Sequence, residues 1–323
     1  MLNLANPEIQ FAIDAVRQAS VLVQIIQAEM VSPALTKDDR SPVTVADFAA
    51  QALVGGMLEP RFPQDPMIGE EDSLTLQSDP STLEQVTHFV RRFTLSATPQ
   101  SVCAWIDRGS ANSAPRYWTL DPIDGTKGFL RGDQYAVALA LVYDGQVQVG
   151  VLGCPKLTLH REQGVLLAAA RGQGTWVTTI QENPSFSQIR VSSRQDPAQV
   201  RLLRSFESEH TNVSQIDVFT QTLGVQAEPV RMDSQAKYAV LAAGQGEIYL
   251  RMLASSRSDY KEKIWDQAAG SIVIEEAGGR VTDLDGCSLD FTQGRTLSGN
   301  RGICATNGLL HEAALETLKA IGA

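Results

Sequence analysis

The chain has 323 residues, 43% of them hydrophobic, enough apolar material for a sizeable core and more length than one compact unit usually holds, so two packed halves are expected. With 37 Asp and Glu against 27 Lys and Arg, its formal net charge of -10 repels nucleic-acid polymers and anionic membrane surfaces but not a small phosphorylated ligand held locally. Cys103, Cys154, Cys287 and Cys304 have no CxxC spacing and no nearby histidine pair, so they suggest neither a disulfide framework nor a zinc site and fit buried thiols in a reducing compartment.

The first residues carry no basic leader, and Glu8, Asp14 and Arg17 interrupt the apolar positions that follow. No window reaches about 18 uninterrupted apolar residues, so neither a signal peptide nor a membrane span is expected, and the chain reads as cytoplasmic. From Pro7 to Met30 apolar residues recur at helical spacing (Ile9, Ile13, Val16, Ala19, Val23, Ile26), predicting one amphipathic helix. After the polar "KDDRSP", the stretch "TVADFAAQALVGGMLEPRFP" predicts a second helix with Thr44 at its N-cap, Asp47 in its first turn and Pro63 beyond its end. "PMIGEEDS" then predicts a short strand running into Glu70 and Glu71.

Pattern is weakest between Asp72 and Trp118, where a short helix capped by Ser81 and Glu84 is expected, followed by a mobile loop, "DRGSANSAPRY". "QYAVALALVYDGQVQVGVLG" alternates strongly around Asp144-Gly145, a type I′ hairpin signal, and "GVLLAAARGQGTWVTTI" repeats the pattern. An antiparallel sheet is therefore predicted for the middle of the chain. The last third alternates strands and helices, from "VRLLRSF" through a polar helix near 211–223 to "EIYLRML" and "IWDQAAGSIVIEEAGG", with Gly278 and Gly279 as a helix stop. A boundary near residue 155 would give an α+β half, 1–155, and a smaller α/β half, 156–323.

In "LDPIDGTKGF" Pro122 biases Asp121 away from the helical region and removes an N–H, so Asp121 and Asp124 sit on a rigid bend. Such a bend aims two carboxylates and the Ile123 carbonyl at one point, a hard-oxygen set suited to Mg²⁺. Asp-Pro and Asp-Gly are also ordinary turn formers. Asp47 at capping-box spacing from Thr44, solvated Glu71 and Asp72, and Asp266 opening a later helix likewise have plain structural readings. If Glu70, Asp121, Asp124 and Asp266 converge, each like-charged pair at ~5 Å costs on the order of 3 kcal/mol at an effective dielectric of ~20, and the set needs cations. Thr126 after Asp124-Gly125 offers a hydroxyl beside backbone N–H groups suited to an anion, which together with a metal site implies phosphoryl chemistry.

"GEE" (69–71), "DPIDGTKGF" (121–129) and "IWDQAAGSIVIEEAGG" (264–279) resemble the lithium-sensitive, Mg²⁺-dependent phosphatases of the inositol monophosphatase and fructose-1,6-bisphosphatase superfamily. "SPVTVADFAAQALV", "GEED", "LDPIDGTKGFLRGDQYAVALALVYDG", "SFESEH", "DSQAKYAVLAAGQGEIYLR" and "YKEKIWDQAAG" resemble its 3′(2′),5′-bisphosphate nucleotidase branch, in register from about residue 8 to residue 310. The 50 residues between Glu70 and Asp121 also resemble that branch, since inositol monophosphatases join these motifs by a shorter loop.

The resemblance implies a layered αβαβα sandwich with metals between its halves, and hydrolysis of 3′-phosphoadenosine 5′-phosphate to AMP and phosphate, with 3′-phosphoadenosine 5′-phosphosulfate as a related substrate. It implies two or three Mg²⁺ ions, inhibition by Li⁺, and metal ligation by Glu70, Asp121, the Ile123 carbonyl, Asp124 and Asp266. Asp47 and Thr126 resemble the pair that orients and deprotonates the attacking water. Thr126, His210, Ser234, Lys237, Arg251 and Asp266 resemble the positions that hold the nucleotide, with Lys237 and Arg251 supplying donors to a second phosphate. "RGSANSAPRY" departs from the glycine-rich, charged loop of that branch. Two other readings stand beside this one: a phosphatase of inositol or sugar phosphates, and a non-catalytic nucleotide- or metal-binding protein. Monomer and homodimer are both compatible with the sequence.

Overall fold

The computed structural model describes residues 2–30, 42–159, 161–181, 185–206, 213–252 and 260–323. Helix α1 (Pro7–Met30) spans the predicted range and buries Ile9, Ile13, Val16, Ala19, Val23 and Ile26. Among the described residues it is the one helix long and apolar enough to cross a membrane, and its apolar stripe lies in the protein core. Helix α2 (Pro42–Arg61) starts ahead of Thr44, because a proline is preset for the first helical position, so Asp47 stands in the second turn and not the first.

The predicted strand follows as β1 (Met67–Gly69). The region without clear pattern then forms three helices: α3 (Leu74–Gln77), α4 (Pro80–Arg91) and α5 (Pro99–Asp107). The cap of α4 is Asp79, whose carboxylate accepts the Thr82 N–H at 3.1 Å, whereas Ser81 and Glu84 lie inside the helix. Thr98 and Ser101 close a reciprocal capping box on α5. α5 packs so closely on α2 that a Cβ at Gly55 would sit 2.3 Å from the Trp105 carbonyl oxygen. The expected loop is tied down at its start, since the Gly69 N–H donates to the Gly109 carbonyl at 2.8 Å and Ser110 bridges Ile68.

Next come β2 (Arg116–Asp124), α6 (Thr126–Arg131), β3 (Ala136–Tyr143), β4 (Gln146–Leu159), β5 (Glu162–Ala170), β6 (Gly174–Thr179) and β7 (Ser187–Ile189). Together with β1 they form a seven-stranded sheet in chain order, antiparallel except for the parallel β1–β2 pair. Asp144 (φ 46) and Gly145 (φ 73) both take the left-handed conformation that a type I′ turn between β3 and β4 requires. β4 runs straight through residue 155 and the sheet continues to Ile189, so the strands part into a second sheet only beyond that residue. Alternating apolarity looks the same in either half, which is why it does not mark the seam.

The second half contains β8 (Leu202–Arg204), α7 (Val213–Leu223), β9 (Val230–Arg231), α8 (Ala236–Ala242), β10 (Ile248–Arg251), α9 (Ala268–Glu276), β11 (Arg280–Thr282), β12 (Ile303–Thr306) and α10 (His311–Ala320). Its five-stranded mixed sheet has the order β11-β12-β10-β8-β9. Gly278, with φ 96, ends α9 as the sequence predicts.

Strand periodicity assigns the layers. Trp118, Leu120, Val137, Leu139 and Val151 pack on one face of the first sheet with α1 and α2. Their neighbours Tyr117, Ala136, Ala138 and Leu152 pack on the other face with α8, α9, Tyr249 and Ala305. A third cluster joins the outer face of the second sheet (Ile248, Leu250, Cys304) to Ile216 and Phe219 of α7 and Ala314 and Leu318 of α10. The order of layers is therefore αβαβα, as expected.

Candidate active site

Asp121 and Asp124 lie at the end of β2, where the ladder with β3 slips. Asp121 faces Ala138 and Asp124 faces Ala136, so three steps along β2 oppose two along β3. Pro122, with no N–H to donate, sits inside this bulge, which turns the strand end without a break in the sheet. Gly125 then takes φ 92 ahead of α6, and a Cβ there would meet the Ser234 Cβ at 2.8 Å, so only glycine lets the two loops approach. Parallel pairing of Gly69 with Leu120 sets Glu70, just beyond the end of β1, beside Asp121 in β2.

Asp266 comes from the other half, in the turn before α9. All the expected site residues except Asp47 and His210 line one cavity of about 440 Å³: Glu70, Asp121, Ile123, Asp124, Thr126, Ser234, Lys237, Arg251 and Asp266. His210 lies outside the described residues. Asp47 is buried and is not part of that lining; burial, then Glu71 and Glu70, pushes its carboxyl well above the usual range.

The carboxylates carry the signature of crowded like charge. Asp121 is only 2% exposed, and burial followed by Glu70, Asp124, Asp266 and Asp47 pushes its carboxyl well above the usual range. Glu70 rises to about 7 through burial, Glu71 and Asp124, against the opposing pull of Lys263 and Arg295. Burial also raises Asp266, opposed by Arg251, and raises Asp124, opposed by Lys237 and Arg251. One oxygen of Asp121, Oδ1, is buried and has no hydrogen-bond partner among the described residues. A buried, unsatisfied carboxylate oxygen inside a set of hard oxygen donors fits a divalent cation. Among the described residues no group of three or more His, Cys, Asp or Glu side chains is drawn together closely enough to hold a metal ion.

Cationic groups share the cavity. Lys237 is 3% exposed; burial lowers it to about 8, and its Nζ sits 5.3 Å from the Tyr249 ring centroid. Arg251 Nε lies 2.8 Å from Glu262 Oε2 and Nη2 3.5 Å from Asp266 Oδ2, so it stands between a buried counter-ion and the carboxylate set. Ser234 adopts a left-handed φ of 67, uncommon for a residue with a side chain, and thereby presents the following N–H to Asp124.

Sequence reasoning missed several contributors. Gln235 sits inside the quoted "DSQAKY" but reads as a polar helix residue, while Lys263 and Tyr260, both on the cavity wall, lie in a polar run. Glu262 and Arg295 carry no local signal, because their partners are distant in sequence.

The model of the inositol monophosphatase family matches residues 6–323. The 3'(2'),5'-bisphosphate nucleotidase of Schizosaccharomyces pombe is 40% identical, covering 98% of this chain and 96% of that protein. Those of Oryza sativa (41%; 97% and 93% covered) and Dictyostelium discoideum (39%; 95% and 95%) are similarly related. Among solved structures, an inositol monophosphatase from Anabaena (Nostoc) sp. PCC 7120 aligns with TM-score 0.66 at 22% identity over 99% of this chain and 97% of that one. A Thermotoga maritima IMPase gives TM-score 0.65 at 20% identity, covering 98% of each chain. At such identities these two structures speak to the fold alone. The full-length match and the close relatives show that the chain belongs to the inositol monophosphatase family, in the branch of the 3'(2'),5'-bisphosphate nucleotidases.

Proposed function

We propose that the protein is a Mg²⁺-dependent phosphatase that removes the 3′-phosphate of 3′-phosphoadenosine 5′-phosphate, giving AMP and phosphate. The observation that carries this reading is one cavity holding both the buried carboxylate set, with its unsatisfied Asp121 oxygen, and the Lys237/Arg251 cations. An acidic set suits a metal-assisted displacement at phosphorus, and separate cations suit a second phosphate that a monophosphate substrate lacks. The 3'(2'),5'-bisphosphate nucleotidases among its relatives support the same substrate.

Glu70, Asp121, the Ile123 carbonyl, Asp124 and Asp266 would hold two or three Mg²⁺ ions. When bound, Mg²⁺ withdraws charge from the phosphoryl oxygens, acidifies a water and stabilises the departing 3′ oxygen. Thr126, at the start of α6 on the cavity wall, orients the water, and Asp47 takes up the proton. Water oxygen bonds to phosphorus as the bond to the 3′ oxygen breaks, and that oxygen takes a proton from solvent water and leaves as the hydroxyl of AMP. Lys237, as a point charge, and Arg251, as a fork, hold the 5′-phosphate, with Ser234 and His210 completing the nucleotide site.

Phosphate release from 3′-phosphoadenosine 5′-phosphate and from inositol 1-phosphate, each in Mg²⁺ with and without Li⁺, tests this reading. Preferential, Li⁺-inhibited release from the nucleotide is expected. Preference for inositol phosphate would remove the nucleotide assignment, and release from neither would remove the catalytic one.

A further inference from the structure

Arg295 belongs to the loop ahead of β12, far in sequence from the carboxylates, yet its side chain meets both the residue before Glu70 and the residue before Asp266. Its Nη1 donates to the Gly109 carbonyl at 3.0 Å, and its Nη2 donates to the carbonyl of Gly69, the residue directly before Glu70. The guanidinium carbon lies 4.8 Å from the ring centroid of Trp265, the residue directly before Asp266.

The backbone of the same loop repeats the connection. The Arg295 carbonyl accepts the Ile264 N–H at 3.2 Å, the Glu262 carbonyl accepts the Leu297 N–H at 2.8 Å, and Thr296 bridges Lys263. Residues 295–297 thus run beside 262–264, the segment that leads into Asp266. The side chain crosses from there to the end of β1 in the other half.

We propose that Arg295 is a positioning residue that fixes the spacing between Glu70 and Asp266, bonding the Gly69 carbonyl with one arm and stacking on Trp265, and so presets the divalent-cation site. The inference rests on the cation reading given above. A lysine lacks both the two-armed fork and the flat face that stacks on an indole, so charge alone does not reproduce the clamp.

Arg295→Lys separates position from charge, since it keeps the charge and loses the clamp. A guanidinium near Glu70 repels a divalent cation but also favours the ionised carboxylate that would hold it, so the two effects of its charge oppose each other. Loss of a positioning contact weakens binding, by roughly tenfold for groups that orient metal ligands.

The test is a Mn²⁺ binding isotherm, without substrate, on the full chain and on Arg295→Met and Arg295→Lys, with thermal melting of each in EDTA. Both variants are expected to bind Mn²⁺ about tenfold more weakly. Arg295→Met binding as tightly as the wild type or tighter, or Arg295→Lys matching the wild type, overturns the proposal, even where melting in EDTA drops. Should Arg295→Met not fold, Arg295→Lys decides alone. A wild-type chain that takes up no Mn²⁺ overturns the cation reading along with it, whereas wild-type uptake with unchanged variants overturns the Arg295 assignment only.

Discussion

Gln235 and Asp124 are joined by a hydrogen bond of 2.5 Å from the Gln235 N–H to Asp124 Oδ2. The side chain of the same glutamine donates to the Trp265 carbonyl at 3.1 Å and accepts the Gly270 N–H at 3.2 Å, so it holds both sides of the turn that carries Asp266. One buried residue thus sets a carboxylate of the first half against a carboxylate of the second. Gln235→Leu keeps the backbone bond to Asp124 but strands the Trp265 carbonyl and the Gly270 N–H. A loss of about 1–3 kcal/mol in stability is expected for each stranded group. Activity is expected to fall roughly 10- to 100-fold through displacement of Asp266. Denaturant unfolding and steady-state kinetics on the same variant check both.

Lys237 and Arg251 share a cavity but differ in their support. Lys237 is a buried cation whose lowered pKa reports an unfavourable site for charge, so Lys237→Met is expected to leave stability unchanged or raised. Its turnover of the bisphosphate should fall roughly 10- to 100-fold, with a simple phosphate ester much less affected. Arg251→Met leaves Glu262, 3% exposed, without its cation at 2.8 Å, and is expected to cost about 3–5 kcal/mol as well as activity. Parallel melting curves and kcat/KM values separate the two.

Metal removal couples to pH. Burial and neighbouring carboxylates raise Glu70 from 4.5 to about 7, so the stability linked to its proton is complete below pH 4.5 and is lost as pH rises through about 7. In EDTA the protein is expected to melt higher at pH 6 than at pH 8. Added Mg²⁺ should raise the melting temperature more at pH 8, where the carboxylates are ionised, than at pH 6. Calorimetric scans at the two pH values, with EDTA or Mg²⁺, measure this.

His311 titrates the other way, far from the site. Its Nε2 lies 3.0 Å from Thr282 Oγ1, whose hydroxyl donates to the Asp283 carbonyl, and its Nδ1 lies 3.0 Å from Thr306 Oγ1. Such partners suit a neutral ring with its proton on Nε2. The ring is fully buried, and burial followed by Arg280 lowers its pKa from 6.5 to about 4. Below pH 6.5 the unfolded chain binds a proton that the folded chain refuses, so stability falls on acidification until about pH 4. The difference in unfolding free energy between the wild type and His311→Gln is expected to shrink by about 3 kcal/mol from pH 7 to pH 4. A pH-independent difference would show that His311 does not titrate as described.

Much of this fold was legible because it rests on local periodicity. The bounds of α1, the I′ turn at Asp144-Gly145 and the stop at Gly278 each follow from patterns within a few residues. Of the helices after Glu71, α4 was expected but with its cap at Ser81 in place of Asp79, whereas α3 and α5 are short, and the Thr98-Pro99 start of α5 precedes only a brief apolar stripe. The bend at Asp121-Pro122 was legible as a bend, yet its form, a bulge continuing the strand, depends on pairing with Ala136 and Ala138. Convergence of Glu70, Asp121, Asp124 and Asp266 on one cavity depends on the parallel β1–β2 pair and on the packing of the two halves, neither of which any single segment encodes. Arg295 is the extreme case, since 226 residues separate it from the carbonyl it binds.

The Lys237/Arg251 end of the cavity is proposed to recognise a second phosphate. The most direct test compares kcat/KM for 3′-phosphoadenosine 5′-phosphate with that for adenosine 3′-phosphate, which carries the same scissile bond and base but no 5′-phosphate. A preference for the bisphosphate of roughly 10- to 100-fold is expected from charge-assisted hydrogen bonds to that group. Equal kcat/KM values for the two nucleotides would contradict it.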